Sequence, residues 1–144
     1  MSFGGQILNR IEESIAKAKF VPRFQFEMAI ILKTTHELIG GAHIERETQD
    51  SRVGNIGYAI NPRFQNQGYA TEISKALIEF GFKNLELLVI YATCDTRNIA
   101  SFSVLQKCGM KKVGKMIGDR KIRGAIYDSF RYEIYATDRC WHDY

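Results

Sequence analysis

The sequence has few of the residues that stabilise small extracellular or metal-dependent proteins. Its 144 residues include three cysteines, Cys94, Cys108 and Cys140, whose spacing fits neither a zinc motif nor a disulfide framework. No apolar run reaches the roughly 18 residues of a membrane span, and the first residues lack the basic and apolar segments of a secretory signal. We therefore expect no bound metal, no membrane contact and a cytoplasmic location.

Proline is also scarce, with two residues in the chain, and tryptophan occurs once. Hydrophobic residues make up 45% of the sequence and charged residues 25%, which is ordinary for a globular protein. A chain of this length can bury most of its apolar surface without disulfides or metal. We therefore predict a single domain over residues 1–144.

Acidic residues are few in one segment near the end of the chain. Between Lys111 and Arg131 only Asp119 and Asp128 oppose seven basic residues. The seven are Lys111, Lys112, Lys115, Arg120, Lys121, Arg123 and Arg131. A nucleic-acid surface would show such a pattern, but the solvated face of a β-hairpin is the more common cause, so we expect no nucleic-acid partner. The net charge of +4 would also favour an anionic ligand.

The hydrophobic pattern predicts one mixed sheet with helices. A helical period marks residues 6–19, 69–83 and 98–107. Alternation marks strands over 24–30, 38–47, 53–60, 110–117 and 125–136, and the apolar run 87–94 is typical of a strand covered on both faces. We expect the last turn at Gly118-Asp119-Arg120, or a longer loop reaching Gly124. The order predicts an α+β fold with a mixed, mainly antiparallel twisted sheet and helices on both faces.

Residues 63–72 lie between a strand that ends at Asn61-Pro62 and the helix that begins near Tyr69. A strand, a tight turn and a helix N-terminus suit a phosphate, because the first N–H groups of a helix lack intrahelical partners. Gly68 allows close approach of the backbone. The segment is neither a Walker loop nor a dinucleotide fingerprint, since the required lysine and glycines are missing. An ordinary turn with a helix cap is the alternative.

The hexamer Gln65-Asn66-Gln67-Gly68-Tyr69-Ala70 resembles the pyrophosphate loop of the GCN5-related N-acetyltransferases, Gln/Arg-x-x-Gly-x-Gly/Ala. A second segment, from Asn98 and Ser101 to Leu105 and Gly109, is similar to the Asn-x-x-Ser…Leu-x-x-x-Gly-Phe region of the RimJ/RimL-type branch. Met110 stands where that branch usually has phenylalanine. Two motifs in the right order are more specific than either alone.

The resemblance implies an N-acetyltransferase that moves an acetyl group from acetyl-CoA to a primary amine, either a protein N-terminus or a small molecule. Residues 65–70 would bind the pyrophosphate, and the pantetheine arm would run between strands 53–60 and 87–94. Asn98 would bind the cofactor arm, and Ser101 would protonate the leaving thiolate. The alternative is that Asn98 or Asp95 caps the helix. Gly54 and Gly57 would mark either close ligand approach or packing.

The general base is assigned to the second strand, where acidic and imidazole side chains share one face at period two. We take Glu45 as the catalytic candidate, with His43 and Glu47 as alternatives. No Cys-His or Ser-His-Asp arrangement is apparent, so we expect direct attack of the amine in a ternary complex. Three tyrosines, Tyr58, Tyr91 and Tyr127, are expected chiefly to pack, with a role as acid or pocket wall as the alternative.

The branch normally begins with a strand and a short helix, which this sequence lacks. That departure supports a rival hypothesis, a catalytically weak CoA-binding or protein-interaction module of the same fold. It also predicts an uncovered sheet edge and hence a homodimer. The interface would be formed by the segment 24–28 and by the apolar face of the first helix, which comprises Ile7, Leu8, Ile11 and Ile15.

Overall fold

A six-stranded sheet organises residues 25–138, the part of the chain that the computed structural model describes. Its strands are β1 (Gln25–Ile31), β2 (Leu38–Arg46), β3 (Val53–Ile60), β4 (Val89–Asp95), β5 (Lys111–Ile122) and β6 (Ala125–Tyr135). The helices are α1 (Tyr69–Lys83) and α2 (Ile99–Lys107), and a short 3-10 turn (Pro62–Phe64) precedes α1. The strand order is β1-β2-β3-β4-β6-β5. The predicted mixed, mainly antiparallel α+β sheet is confirmed.

The first three strands form an antiparallel meander that alternation in the sequence specifies. Phe26 and Met28 of β1 are buried, while the residues between them are exposed. Phe26 pairs with Ile44 of β2, which pairs with Ile56 of β3, so one apolar face continues across the three strands. The apolar side chains of β1 are therefore covered within the chain. The homodimer predicted from segment 24–28 and the first helix stays a prediction.

Helix α1 connects β3 to β4, and α2 follows β4. Phe80 of α1 packs edge to face on Phe26, with ring centroids 5.6 Å apart. Phe102 of α2 lies 5.2 Å from the ring of Phe130 in β6. The strand register places Phe26 and Phe130 on the same face, so both described helices cover one face of the sheet. The helix predicted over residues 6–19 lies outside the described residues, together with its apolar face.

Strands β3 and β4 are the only parallel neighbours in the described sheet, and they pair over a short distance. Their register has three pairs and ends at Asn55 and Tyr91. Beyond this point β3 stays paired to β2 through Ile60, and β4 stays paired to β6 through Asp95. The sheet therefore splits between Ile56–Ile60 and Ala92–Asp95, as the resemblance implied.

The terminal hairpin is longer than predicted, and its turn lies elsewhere. Arg123 and Gly124 both have positive φ, 51° and 84°, and connect β5 to β6 as a two-residue turn. Such turns match the right-handed twist of paired strands. Gly118-Asp119-Arg120, the turn predicted first, lies within β5 at a bulge between Met116 and Arg120. The glycine at 118 marks that bulge and not the end of the strand.

Candidate functional site

A cleft of about 590 Å³ occupies the gap between β3 and β4. Its walls include Ile56 to Ala59 of β3, Ala92 to Cys94 of β4 and Ser101 of α2. Strand alternation places some of these side chains on the helix-covered face and others on the opposite face. The cleft therefore passes through the sheet and can admit ligands from both sides.

Ser101, one of the predicted catalytic residues, lines the cleft and is half-buried. Tyr58 also lines the cleft, and interaction with the Ser101 side chain lowers its pKa, although burial raises that pKa by more. The cleft thus contains two neighbouring hydroxyl groups, and that of Tyr58 is protonated at neutral pH. Tyr58 was expected chiefly to pack, with a role as acid or pocket wall as the alternative, and its position on the cleft wall fits that alternative.

Asn98 begins α2 and does not line the cleft. Its Oδ1 accepts a hydrogen bond from the Ser101 backbone N–H at 3.1 Å, so the residue is the N-cap of the helix. This is the capping role that the sequence left open for Asn98. The cap fixes the first turn of α2, and with it the position of Ser101 against Tyr58.

Asp95 and Arg97 stabilise the turn ahead of α2. The Arg97 guanidinium donates to both carboxylate oxygens of Asp95, at 2.9 and 2.6 Å. These hydrogen bonds lower the pKa of Asp95 to about 2. Arg97 also lies over the ring of Tyr127 in β6, 3.4 Å from its centroid. The turn is therefore connected to the terminal hairpin.

The predicted pyrophosphate loop has the expected backbone form. Asn66 and Gly68 both have positive φ, 62° and 86°, and Gly68 is the N-cap of α1 without a side-chain cap. Gln65 donates from Nε2 to the Ile60 carbonyl at 3.0 Å, and Gln67 reaches the Arg63 carbonyl at 3.5 Å. The two glutamine side chains thus brace the loop against the backbone carbonyls of Ile60 and Arg63.

Tyr69 and Ala70 differ from the other four residues of the hexamer in exposure, because residues 65–68 are exposed and these two are not. The Tyr69 side chain is buried in the core, and Ala70 packs against the core. Only the backbone of these two residues is therefore in a position to bind an anion. A Cβ on Gly68 would meet no protein atom within 4 Å, so this side of the loop is open.

His43 lies over Gly57 on the cleft wall of the other sheet face. A Cβ at position 57 would be 2.3 Å from Cε1 of the imidazole, so glycine is needed there to seat the ring. His43 Nε2 is 3.0 Å from Oδ1 of Asn55, whose Nδ2 donates to the Tyr91 hydroxyl at 3.4 Å. With an amide oxygen as its partner, Nε2 carries the hydrogen, and Nδ1 is the basic atom of the neutral ring.

Glu45 is half-buried and lies two residues beyond His43 along β2, opposite Gln25 and Asn55. It is not part of the cleft wall, whereas His43 and Glu27 are. Gly54 also lies outside the cleft. A Cβ added to Gly54 would lie 2.8 Å from the Glu45 carbonyl oxygen, so glycine allows close packing of the two strands here. Gly57 instead makes room for the His43 ring.

Among residues 25–138 no cluster of three or more histidine, cysteine, aspartate or glutamate side chains is arranged to bind a metal ion. Within the same residues no helix is long and apolar enough to cross a membrane.

Comparison with known proteins identifies the family. Residues 5–111 match the Acetyltransferase (GNAT) domain. The chain is 31% identical over 137 residues to the uncharacterized N-acetyltransferase YoaA of Bacillus subtilis, covering 92% of this chain and 77% of YoaA. This chain therefore belongs to the GNAT acetyltransferase family.

Two further similarities are more limited. The uncharacterized N-acetyltransferase YnaD of Bacillus subtilis is 48% identical over 59 residues, which cover 41% of this chain and only 35% of YnaD. The structure of Mycobacterium smegmatis RimJ in complex with CoA-disulfide has a TM-score of 0.76 at 24% identity, covering 90% of this chain and 60% of RimJ. At that identity the likeness to RimJ is one of fold.

Proposed function

We propose that this chain is an acetyl-CoA-dependent N-acetyltransferase whose reacting groups meet in the β3–β4 cleft. The observation that carries the proposal is the split of the sheet beyond Asn55 and Tyr91. Strand backbone that lacks a neighbouring strand can pair with the amides of an extended ligand, and the pantetheine arm is such a ligand. The GNAT family membership supports the same assignment.

The donor would lie along the helix-covered side of the split. Its pyrophosphate would bind backbone N–H groups of the loop 65–70 at the N-terminus of α1, where the helix dipole favours negative charge. The Gln65 N–H is excepted, because it donates to the Pro62 carbonyl at 3.3 Å. The open side of Gly68 leaves space for that contact. The thioester would then lie near Ser101, and Asn98 would act by holding Ser101 in place through the helix cap.

Attack by a neutral amine requires removal of one proton and delivery of another to the departing thiolate. We assign delivery to Ser101 together with Tyr58, because both side chains line the cleft and interact with each other. We assign removal to Nδ1 of His43, in preference to Glu45, because His43 lines the cleft and its tautomer is set by Asn55. Direct attack is favoured because burial raises the pKa of both cysteine thiols near the site, Cys94 and Cys108, the latter to about 11.

The acceptor would enter from the face that carries His43 and Glu27. A RimJ/RimL-type acceptor, a protein N-terminus, is one candidate, and a small amine is another. The fold likeness to RimJ supports the first only loosely. A non-catalytic CoA-binding module would differ by binding acetyl-CoA without turnover, which the experiments below separate.

Replacement of Gly68 tests the donor site. Valine there would place a β-branched residue at a φ of 86° and crowd the pyrophosphate. Wild-type protein should bind acetyl-CoA in a calorimetric titration, and Gly68→Val should bind at least about tenfold more weakly, or about 1.4 kcal/mol. Gly124→Val is the control, because its φ of 84° is similar but it lies at the tip of the terminal hairpin. Equal affinity of wild type and Gly68→Val would contradict the loop assignment.

Replacement of the coupled hydroxyls tests proton delivery. Wild-type protein should release the CoA thiol from acetyl-CoA only when an amine is present. Ser101→Ala and Tyr58→Phe should each lower that turnover by about 10²-fold, the usual range for general acid catalysis. The double variant should be little slower than either single variant, because the two groups act on one proton. Full turnover of the double variant would show that the proton comes from elsewhere.

The base is tested by a matched pair on one face of β2. His43→Gln should lower turnover by about 10²-fold, because a glutamine amide cannot accept the proton that Nδ1 of the imidazole would take. Glu45→Gln, two residues along the same strand, should retain nearly full turnover. The reverse result would restore Glu45 as the base and place the amine closer to β1.

A further inference from the structure

Arg120 differs from the other basic residues of the terminal hairpin. Every residue of β5 is exposed except Met116 and Arg120, which are half-buried. Arg120 lines the cleft, whereas its neighbours Asp119 and Lys121 face solvent. The sequence placed all seven basic residues of this segment on a solvated face. One of them is instead part of the candidate active site.

The bulge in β5 orients the Arg120 side chain toward the cleft. Met116 pairs with Ser129 and Arg120 with Tyr127, so three residues of β5 face the single residue Asp128. The bulge is fixed at two points. The Gly118 N–H donates to Asp128 Oδ1 at 2.7 Å, and the buried Ser129 hydroxyl donates to Asp119 Oδ2 at 2.5 Å. Bulges beside active sites commonly redirect a side chain in this way.

Among residues 25–138 no carboxylate forms an ion pair with Arg120, although its charge contributes to the lowered pKa of Asp95. Asp95 is occupied by Arg97, Asp119 accepts from Ser129, and Asp128 accepts from Gly118 and lies 3.6 Å from Lys115. Nε of Arg120 is buried and has no hydrogen-bond partner in the structure. A buried guanidinium donor without a partner is costly. An anionic ligand group in the cleft would relieve that cost.

The position of Arg120 indicates which ligand carries the anion. Arg120 lines the same cleft as Ser101 and Cys94, the residues that the thioester would reach in the proposed donor site. Residues 65–70, the proposed pyrophosphate loop, do not belong to this cleft wall. The pantetheine arm between them is uncharged. The anion at Arg120 would therefore belong to the acceptor.

On the basis of the proposed function, we propose that Arg120 selects amine acceptors that carry a second, negatively charged group, such as a carboxylate. The amine would face His43 and Glu27 at one end of the cleft, and the anion would pair with Arg120 at the other. Diamines and longer polyamines would be poor acceptors, because their second cationic group would meet the guanidinium. Arg120 is on this account a specificity-determining residue.

Acceptors that differ only in charge test this selection. The probes are ω-aminocarboxylates of increasing chain length, the corresponding carboxamides, and diamines of matching length. For wild-type protein, kcat/KM for the best carboxylate should be at least about tenfold higher than for the matching carboxamide. This ratio corresponds to about 1.4 kcal/mol. Arg120→Gln should remove this preference, mainly by raising KM for the carboxylate. Lys121→Gln, the exposed neighbour, should keep it.

Binding measurements separate this proposal from the proposed function. If wild-type protein acetylates carboxylates and carboxamides equally, catalysis stands and the anion site is overturned. If Arg120→Gln weakens acetyl-CoA binding and leaves acceptor preference intact, the guanidinium serves the cofactor phosphates, and the proposal fails. A third outcome is that no amine is acetylated, but the carboxylate raises the Tm of the CoA complex of wild type and not that of Arg120→Gln. The anion site would then stand without the activity.

Discussion

The short pairing between β3 and β4 is the constraint on which the site depends. A sheet interior normally satisfies every backbone N–H and C=O group through neighbouring strands. Here two strands remain anchored on their outer sides, to β2 and β6, while they separate from each other beyond Asn55 and Tyr91. The separated segments keep their extended form without pairing to each other. This leaves a preformed slot for a ligand whose own amides can complete the ladder.

The surrounding residues fit that slot on both faces of the sheet. On the helix side, the Asn98 cap sets the start of α2 and brings Ser101 to Tyr58. On the other side, Gly57 makes room for the His43 ring, and Asn55 fixes its tautomer. The cleft thus connects proton-donating hydroxyls to a basic imidazole across the sheet. Such an arrangement suits a reaction in which donor and acceptor approach from opposite faces.

Much of the fold was predictable because the controlling signals are local. The bounds of α1 were predicted without error at Tyr69 and Lys83, because Gly68 and the amphipathic pattern define both the start and the face of the helix. The end of β5 was not predictable in the same way. Gly118 gives the same sequence signal in a bulge as in a turn, and only pairing with β6 distinguishes the two.

The site was less predictable than the fold, because its contacts join residues distant in sequence. Ser101 followed from a motif, but its partner Tyr58 lies on another strand, and nothing local marks that contact. Arg120 was hidden among similar charges, since exposure along β5 is decided by the bulge and not by residue type. Glu45 and His43 lie two residues apart on β2 and therefore on the same face, so the strand period does not distinguish them. Only the position of the split distinguishes them.

Hydrogen–deuterium exchange tests the central claim, that the split between β3 and β4 receives acetyl-CoA. Saturating acetyl-CoA should slow amide exchange within 56–60, 92–95 and the loop 66–71, because these backbone groups would gain ligand partners or be shielded by it. The turn at Arg123–Gly124 should exchange at the same rate with and without the cofactor. Binding of acetyl-CoA with unchanged exchange in both separated strand segments would contradict the account.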